Sequence, residues 1–298
     1  MGPSAEVLGD GDVPDTMLRI CSLASGSSGN ATLVSSGATH VLVDAGASAT
    51  LVIDRLAGLG LEPGDLHGIL VTHAHADHYR SVGTFSAKHD VPVFVDPSTA
   101  RALSRKARRT SWRRVKEPAA IPGVIGDLEI EALDTSHGDP EIDGRTVCFQ
   151  IRRGSRRVAV VTDLGSYDDA LIARLAGVDA ILLEANYDET LVRRKLSDLT
   201  HSFHWRYLRG ALGPRGHLSN TQCANLLYEI LAGPWTHVLL GHLSENHPDP
   251  ALDNNDFEMA RRTVEDVFAK RGSAVPRIHR TWRTGRASSS ASDVITLE

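Results

Sequence analysis

The sequence is poor in cysteine and contains no long apolar segment. Its three cysteines, Cys21, Cys148 and Cys223, are scattered through apolar stretches, which favours buried free thiols in a reducing cytoplasm and leaves no thiolate metal knuckle. No apolar run approaches the roughly 18–20 residues that cross a membrane. The acidic, Gly- and Pro-rich start lacks the basic and apolar regions of a secretory signal. These absences predict a cytoplasmic globular protein without a membrane segment.

Internal repetition is lacking as well. No period of roughly 20–50 residues is sustained over three units, which excludes a solenoid. The tetrapeptide GHLS occurs at 216–219 and again at 241–244, but with dissimilar flanks. With 298 residues, 41% of them hydrophobic, the chain can bury a substantial core. We expect a disordered tail over 1–16 and a single domain over 17–298.

Short apolar segments of strand length recur along the chain and are separated by helical patterns. The strand-like segments are 17–24, 31–35, 40–44, 68–72, 91–96, 128–134, 146–152, 157–163, 179–186 and 236–241. The helical patterns are 48–60, 80–90, 167–176, 220–232 and 254–271. The first half is rich in β-structure, and the second half alternates strand and helix. This order predicts an α/β fold in which helices cover the faces of the sheets.

The strongest chemical signal is THAHADH, residues 72–78, which follows the strand-like GILV. It places His73, His75, Asp77 and His78 in a very short segment. In extended backbone His73 and His75 point to the same side, so both can hold one ion. If the chain then turns into a helix, Asp77 and His78 can face a second ion. The alternative is a polar loop in which Asp77 caps a helix, but a cap does not require three histidines.

Polar residues with the same chemistry follow the ends of other strand-like segments. They are His137, Asp163 and His242. Because loops at the ends of strands in a rigid sheet converge at one edge, these residues can meet the histidine motif. The predicted ligand set is His73, His75 and His137 on one metal, Asp77, His78 and His242 on another, and Asp163 between them. Its nitrogen and oxygen donors suit zinc, manganese or iron(II) rather than copper(I) or an iron–sulfur cluster.

Two divalent metal ions about 3.5–4 Å apart can share a hydroxide and clamp a scissile ester or phosphate. In order and spacing, VDAG (43–46), HAHADH (73–78), His137, Asp163 and His242 resemble the five motifs of the metallo-β-lactamase-fold hydrolases. The resemblance covers most of the chain and implies a four-layer αββα sandwich. It also implies that Asp44 hydrogen-bonds a ligand histidine and fixes its tautomer.

Further segments resemble the WalJ/YycJ branch of that family, which is regarded as exonuclease-like. These segments are SLASGSSGN (22–30), VTDLG (161–165), EANYD (184–188), GHLSN (216–220) and LLGHLSEN (239–246). An aspartate at 163 is similar to the glyoxalase, lactonase and nuclease branches, and differs from the branch that opens β-lactams through a cysteine. The chain departs from the WalJ/YycJ pattern at Tyr187, where that branch usually has histidine, and in a longer stretch at 197–216.

Residues 101–116, RALSRKARRTSWRRVK, carry eight basic residues and no acidic one. The rest of the chain then has 24 basic residues against 37 acidic ones. On a nucleic acid, Arg105, Arg108 and Arg109 could neutralise phosphates, and Trp112 could stack on a base. The alternative is a solvated helix face.

Two other segments are candidates for substrate contacts. In the glycine-rich loop SGSSGN, Ser27, Ser28 and Asn30 could bind an anion, although a tight turn between strands would have the same composition. In the first GHLS copy, His217 and Ser219 precede a helix whose start reads as a capping box. Helix N-termini attract anions, so His217 could grip a phosphate or protonate a leaving oxygen. The alternative is a histidine that caps its own helix.

These patterns predict a phosphodiesterase with two divalent metal ions, zinc or manganese with iron as an alternative, that acts on DNA or RNA as an exonuclease. A hydroxide held by the metals attacks phosphorus, and the expected catalytic residues are Asp77, Asp163 and His217. One alternative is a hydrolase of the same fold for a lactone, thioester or cyclic phosphodiester. Another is a non-hydrolytic protein, either a nucleic-acid-binding module or an iron enzyme of oxygen chemistry. The pattern specifies no oligomeric state.

Overall fold

The computed structural model describes residues 17–106, 111–198, 208–244, 253–283 and 291–298, which form two β-sheets flanked by helices. The first sheet consists of β1 (Leu18–Ala24), β2 (Ala31–Ser35), β3 (His40–Val43), β4 (Gly68–Val71), β5 (Val93–Val95) and β13 (Ile295–Leu297). The second consists of β6 (Val124–Ile125), β7 (Leu128–Asp134), β8 (Val147–Arg153), β9 (Arg156–Val161), β10 (Ala180–Glu184), β11 (His237–Gly241) and β12 (Arg277–Arg280).

The helices lie outside the two sheets or in the loops between strands. They are α1 (Ala49–Gly58), α2 (Ala76–Tyr79), α3 (Val82–His89), α4 (Pro97–Lys106), α5 (Pro140–Asp143), α6 (Asp169–Leu175), α7 (Glu189–Asp198), α8 (Asn220–Ile230) and α9 (Phe257–Lys270). Short 3₁₀ turns occur at Pro63–Asp65 and Ser111–Arg114. None of the helices in the described part of the chain is both long and apolar enough to cross a membrane.

Alternation along the strands produces the layers. In β1, Leu18 and Ile20 pack between the two sheets, whereas Cys21 and Leu23 face α1 and α3 on the other side. This is the period of two that places successive side chains on opposite faces of a sheet. The second sheet is covered in the same way by α6, α8 and α9. The result is a helix–sheet–sheet–helix sandwich, which confirms the predicted α/β fold and its four αββα layers.

The strand order brings many strand ends to one edge. In the second sheet β9, β10, β11 and β12 run parallel, and β7 runs in the same direction because it is antiparallel to β8, which is antiparallel to β9. In the first sheet β3 and β4 are parallel neighbours. The carboxyl ends of such strands are where open α/β sheets bind ligands. The seven predicted metal ligands follow the ends of β4, β7, β9 and β11.

Candidate metal centre

The histidine motif lies where β4 ends and the chain turns into α2. His75 is the residue before the helix, in extended backbone with φ −97° and ψ 145°. His78 N then donates to His75 O at 3.0 Å, and this turn places Asp77 and His78 beside His73. Gly46 lies against the same turn, so closely that a Cβ there would collide with the Asp77 carbonyl. The close approach explains the glycine of VDAG.

Residues with left-handed backbone are concentrated at this edge. Asp44, Asp163 and His242 have φ of 61°, 54° and 49°. This conformation is uncommon for residues other than glycine and costs on the order of 1–3 kcal/mol. Among the described non-glycine residues only Asp90 shares it. The sharp turns point side chains into the site, and bonds such as His242 N to Ser25 Oγ, 2.8 Å, hold them there.

His73, His75 and His137 form the first group of metal donors. One nitrogen from each ring lies within 4.8 Å of the others. His75 Nδ1 and His137 Nε2 are 3.2 Å apart, and the three rings pack edge to face. His73 and His137 are buried, whereas the His75 side chain is 36% exposed. The group therefore has one open side.

The second group comprises Asp77, His78 and His242. Asp77 Oδ2 lies 3.5 Å from His78 Nε2 and 3.6 Å from His242 Nε2. Asp163 stands between the two groups, because its carboxylate is 2.9 Å from His78 Nε2 and 3.7 Å from His137 Nε2. The structure thus brings all seven predicted ligands together. Two of its donor groups match the predicted division, and two further groups overlap them, one of His73, His78 and Asp163 and one of Asp163, Glu184, His217 and His242.

On the outward side of the rings, polar partners fix the orientation of the histidines. His73 Nδ1 lies 3.0 Å from Thr72 Oγ1, and His78 Nδ1 lies 2.7 Å from Asp44 Oδ2. Asp44 also accepts from Thr72 N and Thr72 Oγ1, both at 2.8 Å. A carboxylate in this place selects the tautomer that leaves Nε2 to face the centre. Asp44 therefore occupies the position that the sequence predicts for it.

The second sheet supplies the partners of the other two buried histidines. His137 Nδ1 lies 2.6 Å from the carbonyl oxygen of Gly216. His242 Nδ1 lies 3.3 Å from Glu184 Oε2, and its carbonyl accepts from Asn186 Nδ2 at 2.8 Å. Both rings are therefore held by groups at the same edge, Gly216 in the loop before α8 and Glu184 at the end of β10.

Unpaired buried nitrogens test whether these residues suit a cation. His73 Nε2 and His242 Nε2 are buried and have no hydrogen-bond partner among the described residues. Buried polar atoms are normally paired, and each of these nitrogens belongs to a group of converging metal donors. The donors are all nitrogen and carboxylate oxygen, a set that suits divalent zinc, manganese or iron. The site therefore fits divalent metal ions.

Burial and mutual attraction set the charges of the cluster. Burial lowers the pKa of His73 well below its ordinary value, so the ring stays neutral. Burial also acts to lower the pKa of His78 and His242, but Asp163 and neighbouring carboxylates outweigh it and raise both well above the ordinary value. Burial would raise the pKa of Asp163, but His242 and His78 hold it well below its ordinary range. Protons on His78 and His242 thus balance the carboxylates, and a divalent ion would release them on binding.

Glu184 is the residue of the site that sequence reasoning missed. It ends β10 fully buried, and its Oε1 accepts from Leu164 N at 2.6 Å and Leu218 N at 2.9 Å. Its Oε2 lies 2.9 Å from His217 Nδ1 and 3.3 Å from His242 Nδ1. One carboxylate therefore holds the histidines of both GHLS copies. The available signal was the acidic residue that closes the otherwise apolar strand AILLE.

The comparisons with known proteins agree with this geometry. A profile described as the β-lactamase superfamily domain matches residues 39–232, well over half of the chain. The chain belongs to this superfamily. It is 30% identical over 262 residues to the exodeoxyribonuclease YycJ of Bacillus anthracis, covering 87% of this chain and 92% of that protein. It is 29% identical over 254 residues to the exodeoxyribonuclease WalJ of Streptococcus pneumoniae serotype 2, covering 83% of this chain and 87% of that one.

The fold of this superfamily member is shared with a solved structure. The metallo-β-lactamase-fold protein YhfI from Bacillus subtilis superposes with a TM-score of 0.63 at 16% identity, covering 95% of this chain and 100% of that chain. The family and the relatives show that the protein is a hydrolase, which sets the predicted non-hydrolytic alternatives aside.

The glycine-rich loop of the superfamily member supports the metal centre from one side. Asn30 is buried, with Nδ2 3.0 Å from His78 Nε2, and its Oδ1 accepts from Gly26 N at 2.9 Å. Ser28 accepts hydrogen bonds from two arginines. Arg283 donates to its hydroxyl and Arg80 donates to its carbonyl, each at 3.2 Å. Ser27 is exposed at the tip of the loop. Of the three predicted substrate contacts in this loop, Asn30 thus contacts the donor histidine His78, and Ser27 and Ser28 remain accessible.

Two of the predicted substrate contacts lie in buried positions. Trp112 is only 5% exposed and packs edge to face on Tyr79, 6.4 Å between ring centroids, so its ring is not available to stack on a base. Ser219 is 1% exposed, and its hydroxyl accepts from Gln222 N at 3.2 Å in a complete capping box. Its polar group is therefore used within the protein.

The described residues include only part of the basic segment. Arg108 and Arg109 lie outside the described residues. Arg105 is exposed, and its guanidinium donates to the carbonyl of Glu141 at 3.3 Å. Lys106 contacts Asp143.

Tyr187 is the residue at which the chain departs from the WalJ/YycJ pattern, and its aromatic ring lies outside the donor groups. Tyr187 is 4% exposed and packs with Val192 and Leu208 in a small hydrophobic cluster. Its carbonyl accepts from Asn220 N at 2.9 Å, which joins it to the start of α8. Of the longer stretch at 197–216, residues 199–207 lie outside the described part of the chain.

Proposed function

We propose that this hydrolase is a phosphodiesterase with two divalent metal ions that removes nucleotides from an end of a nucleic acid, DNA in the first instance. The observation that carries the proposal is the pair of donor groups joined by Asp163, with the His217–Glu184 pair beside them. The names of the two bacterial relatives, both exodeoxyribonucleases, support the substrate class. Three buried, unpaired cysteines support action in the cytoplasm.

Metal ions at the two groups would activate water and offset the negative charge that develops on a transferring phosphate. His73, His75 and His137 would hold one ion; Asp77, His78 and His242 would hold the other. Asp163 would contact both, because its carboxylate faces both groups. The ions are zinc or manganese in this proposal, with iron(II) suited to the same donors.

His217 is placed to deliver a proton. Its Nδ1 lies 2.9 Å from Glu184 Oε2, and since an ionised carboxylate only accepts, Nδ1 carries the hydrogen. Burial would raise the pKa of Glu184, but His217 above all keeps it below its ordinary value, so the carboxylate is charged. Nε2 of His217 is then the atom that, with the ring in its doubly protonated imidazolium form, would give a proton to the departing oxygen. The half-buried ring lies 4.9 Å from that of His137 and 5.0 Å from that of His242, at the mouth of the centre.

The experiment is cleavage of end-labelled DNA and RNA by the purified protein with zinc or manganese. Stepwise loss of terminal nucleotides is the expected result. No cleavage with any of these metals, together with rapid hydrolysis of a lactone or thioester, would reject the proposal.

A second candidate is a hydrolase of small esters or cyclic phosphodiesters. The contacts within the basic segment favour this candidate. Lys106 is paired with Asp143, Lys116 is paired with Asp90, and Trp112 is buried. The ring of Trp112 is thus withdrawn from a polyanion, and each of the two lysines already has an acidic partner.

Neutralising the basic segment separates the two candidates. Exchange of Arg105, Arg108, Arg109 and Arg113 for glutamine should weaken a nuclease and reduce the dependence of binding on salt by about 0.7–0.9 in slope per lost phosphate contact. A hydrolase of small substrates would retain its turnover in the same variant.

A further inference from the structure

His75 differs from the other donor histidines in its exposure and in its outward partner. Its side chain is 36% exposed, whereas those of His78, His137 and His242 are 5% exposed or less. Nδ1 of His75 faces the donor group, 3.2 Å from His137 Nε2. Its Nε2 lies 3.5 Å from Asp143 Oδ1. Packing holds a half-exposed ring less firmly than a buried one, and this carboxylate is the charged group that its outward nitrogen faces.

The loop after His137 is built closely around Asp143. Asp143 ends α5, its side chain is 7% exposed, and Asp139 N donates to its Oδ2 at 2.8 Å. Gly138 has φ 65°, and a Cβ there would press on the same carboxylate, 2.9 Å from Oδ2. With Oδ2 held by the backbone, Oδ1 is left for side-chain partners, of which His75 is one.

The end of α4 completes the surroundings of the carboxylate. The Lys106 amino group contacts Asp143 Oδ1, and the neighbouring Arg105 donates to the Glu141 carbonyl. A largely buried carboxylate is costly without a charged partner, and Lys106 supplies one. Lys106 of the basic segment thus contacts Asp143, and Asp143 in turn faces the donor histidine His75.

We propose that Asp143 is a positioning residue that accepts the Nε2 proton of His75 and so directs Nδ1 into the donor group. The proposal rests on the metal-binding role of His75 in the proposed function. Carboxylates that accept the second proton of a metal-bound histidine fix its tautomer and raise its basicity. In this role Asp143 orients the ring of His75, as Asp44 orients the ring of His78.

The test compares Asp143→Asn with Glu141→Gln, which removes the same charge two positions away on α5. Asparagine keeps an oxygen for the Asp139 amide and loses the charge that faces His75. We expect Asp143→Asn to raise the zinc dissociation constant about 10–100-fold in competition with a chelator. The visible spectrum of the cobalt(II)-loaded protein should also change. Glu141→Gln should alter neither, and the melting temperatures of the metal-free proteins should agree.

Zinc affinity and cobalt spectra that are unchanged in Asp143→Asn would overturn the proposal, as would equal losses in both variants. If Asp143→Asn does not fold, the unaltered zinc-loaded protein still decides. Nitrogen-15 NMR of its histidines should show a proton on His75 Nε2 that exchanges slowly for so exposed a ring; rapid exchange would contradict the assignment. Zinc affinity needs no substrate, so absence of nuclease activity in the unaltered protein would reject the proposed function alone.

Discussion

The two GHLS copies have the same four residues and opposite local structures. In the first, Gly216–Ser219, His217 precedes α8, and the serine caps that helix. In the second, Gly241–Ser244, His242 follows β11 with a left-handed φ of 49°. The side chain of the first histidine is 14% exposed, and that of the second is 2% exposed. The difference shows that flanking elements, not the tetrapeptide, determine what each histidine does.

The two copies are nevertheless joined through one residue. Glu184 Oε2 faces Nδ1 of both His217 and His242. His242 then directs Nε2 toward Asp77, 3.6 Å from its Oδ2. A single carboxylate thus faces both the proposed metal-binding histidine and the proposed proton donor.

The largest effect should come from His242→Ala. It removes a donor from the group with Asp77 and His78 and leaves two carboxylates without their positive partner. Metal content should fall by about half. Turnover should fall by more than about 100-fold, because 100-fold is the upper cost of losing a residue that only supports a metal ligand. Metal analysis of the purified protein, followed by nuclease assay, measures both. Full metal content in this variant would show that His242 is not a ligand.

His217→Ala should lose turnover and keep its metal. Without the proton from Nε2, turnover should fall about 10²–10⁴-fold. The variant is assayed at saturating substrate and analysed for metal beside His242→Ala. Loss of metal here would place His217 among the ligands and abolish the contrast between the two copies.

Glu184→Gln should affect both copies at once. The amide keeps an oxygen for the Leu164 and Leu218 amides but no longer attracts the histidine protons. We expect metal affinity and turnover each to fall about 10–100-fold. Zinc competition and single-turnover cleavage separate the two losses. A loss in only one of them would show that the carboxylate serves a single histidine.

The smallest effects should come from the two serines. Ser219→Ala removes the helix cap and should lower the free energy of unfolding by about 1 kcal/mol. Ser244 Oγ accepts from Asn254 Nδ2 at 3.1 Å, and Ser244→Ala should cost about 0.5 kcal/mol, the low end for a net hydrogen bond. Urea unfolding of the metal-free proteins measures both. Equal losses would mean that the capping box adds little here.

Periodicity alone located most of the elements that position the site. The strands predicted at 31–35 and 128–134 have those bounds in the structure, and the helix predicted at 48–60 is Ala49–Gly58. Buried strands and amphipathic helices leave strong patterns. The helices Pro97–Lys106 and Glu189–Asp198 were not predicted, because polar residues dominate both.

Residues that act through the fold left weaker signals. Glu184 and Asp143 each follow an ordinary pattern, the end of a strand and the end of a short helix, and nothing adjacent in sequence marks their partners. Trp112 shows the opposite case: a basic neighbourhood suggested exposure, but the ring is buried against Tyr79. Local composition reports the backbone more reliably than it reports which side chains meet.

By itself, the sequence determined the α/β class, the strand and helix pattern of the core and the seven predicted donors, because period, spacing and residue chemistry are local properties. Only the tertiary structure decided that both GHLS histidines share Glu184, that Asp143 faces His75, and that Ser219 and Trp112 are buried. These contacts join residues between 33 and 68 positions apart or depend on burial by other elements. Such pairs form only when the ends of neighbouring strands meet at one edge of a folded sheet.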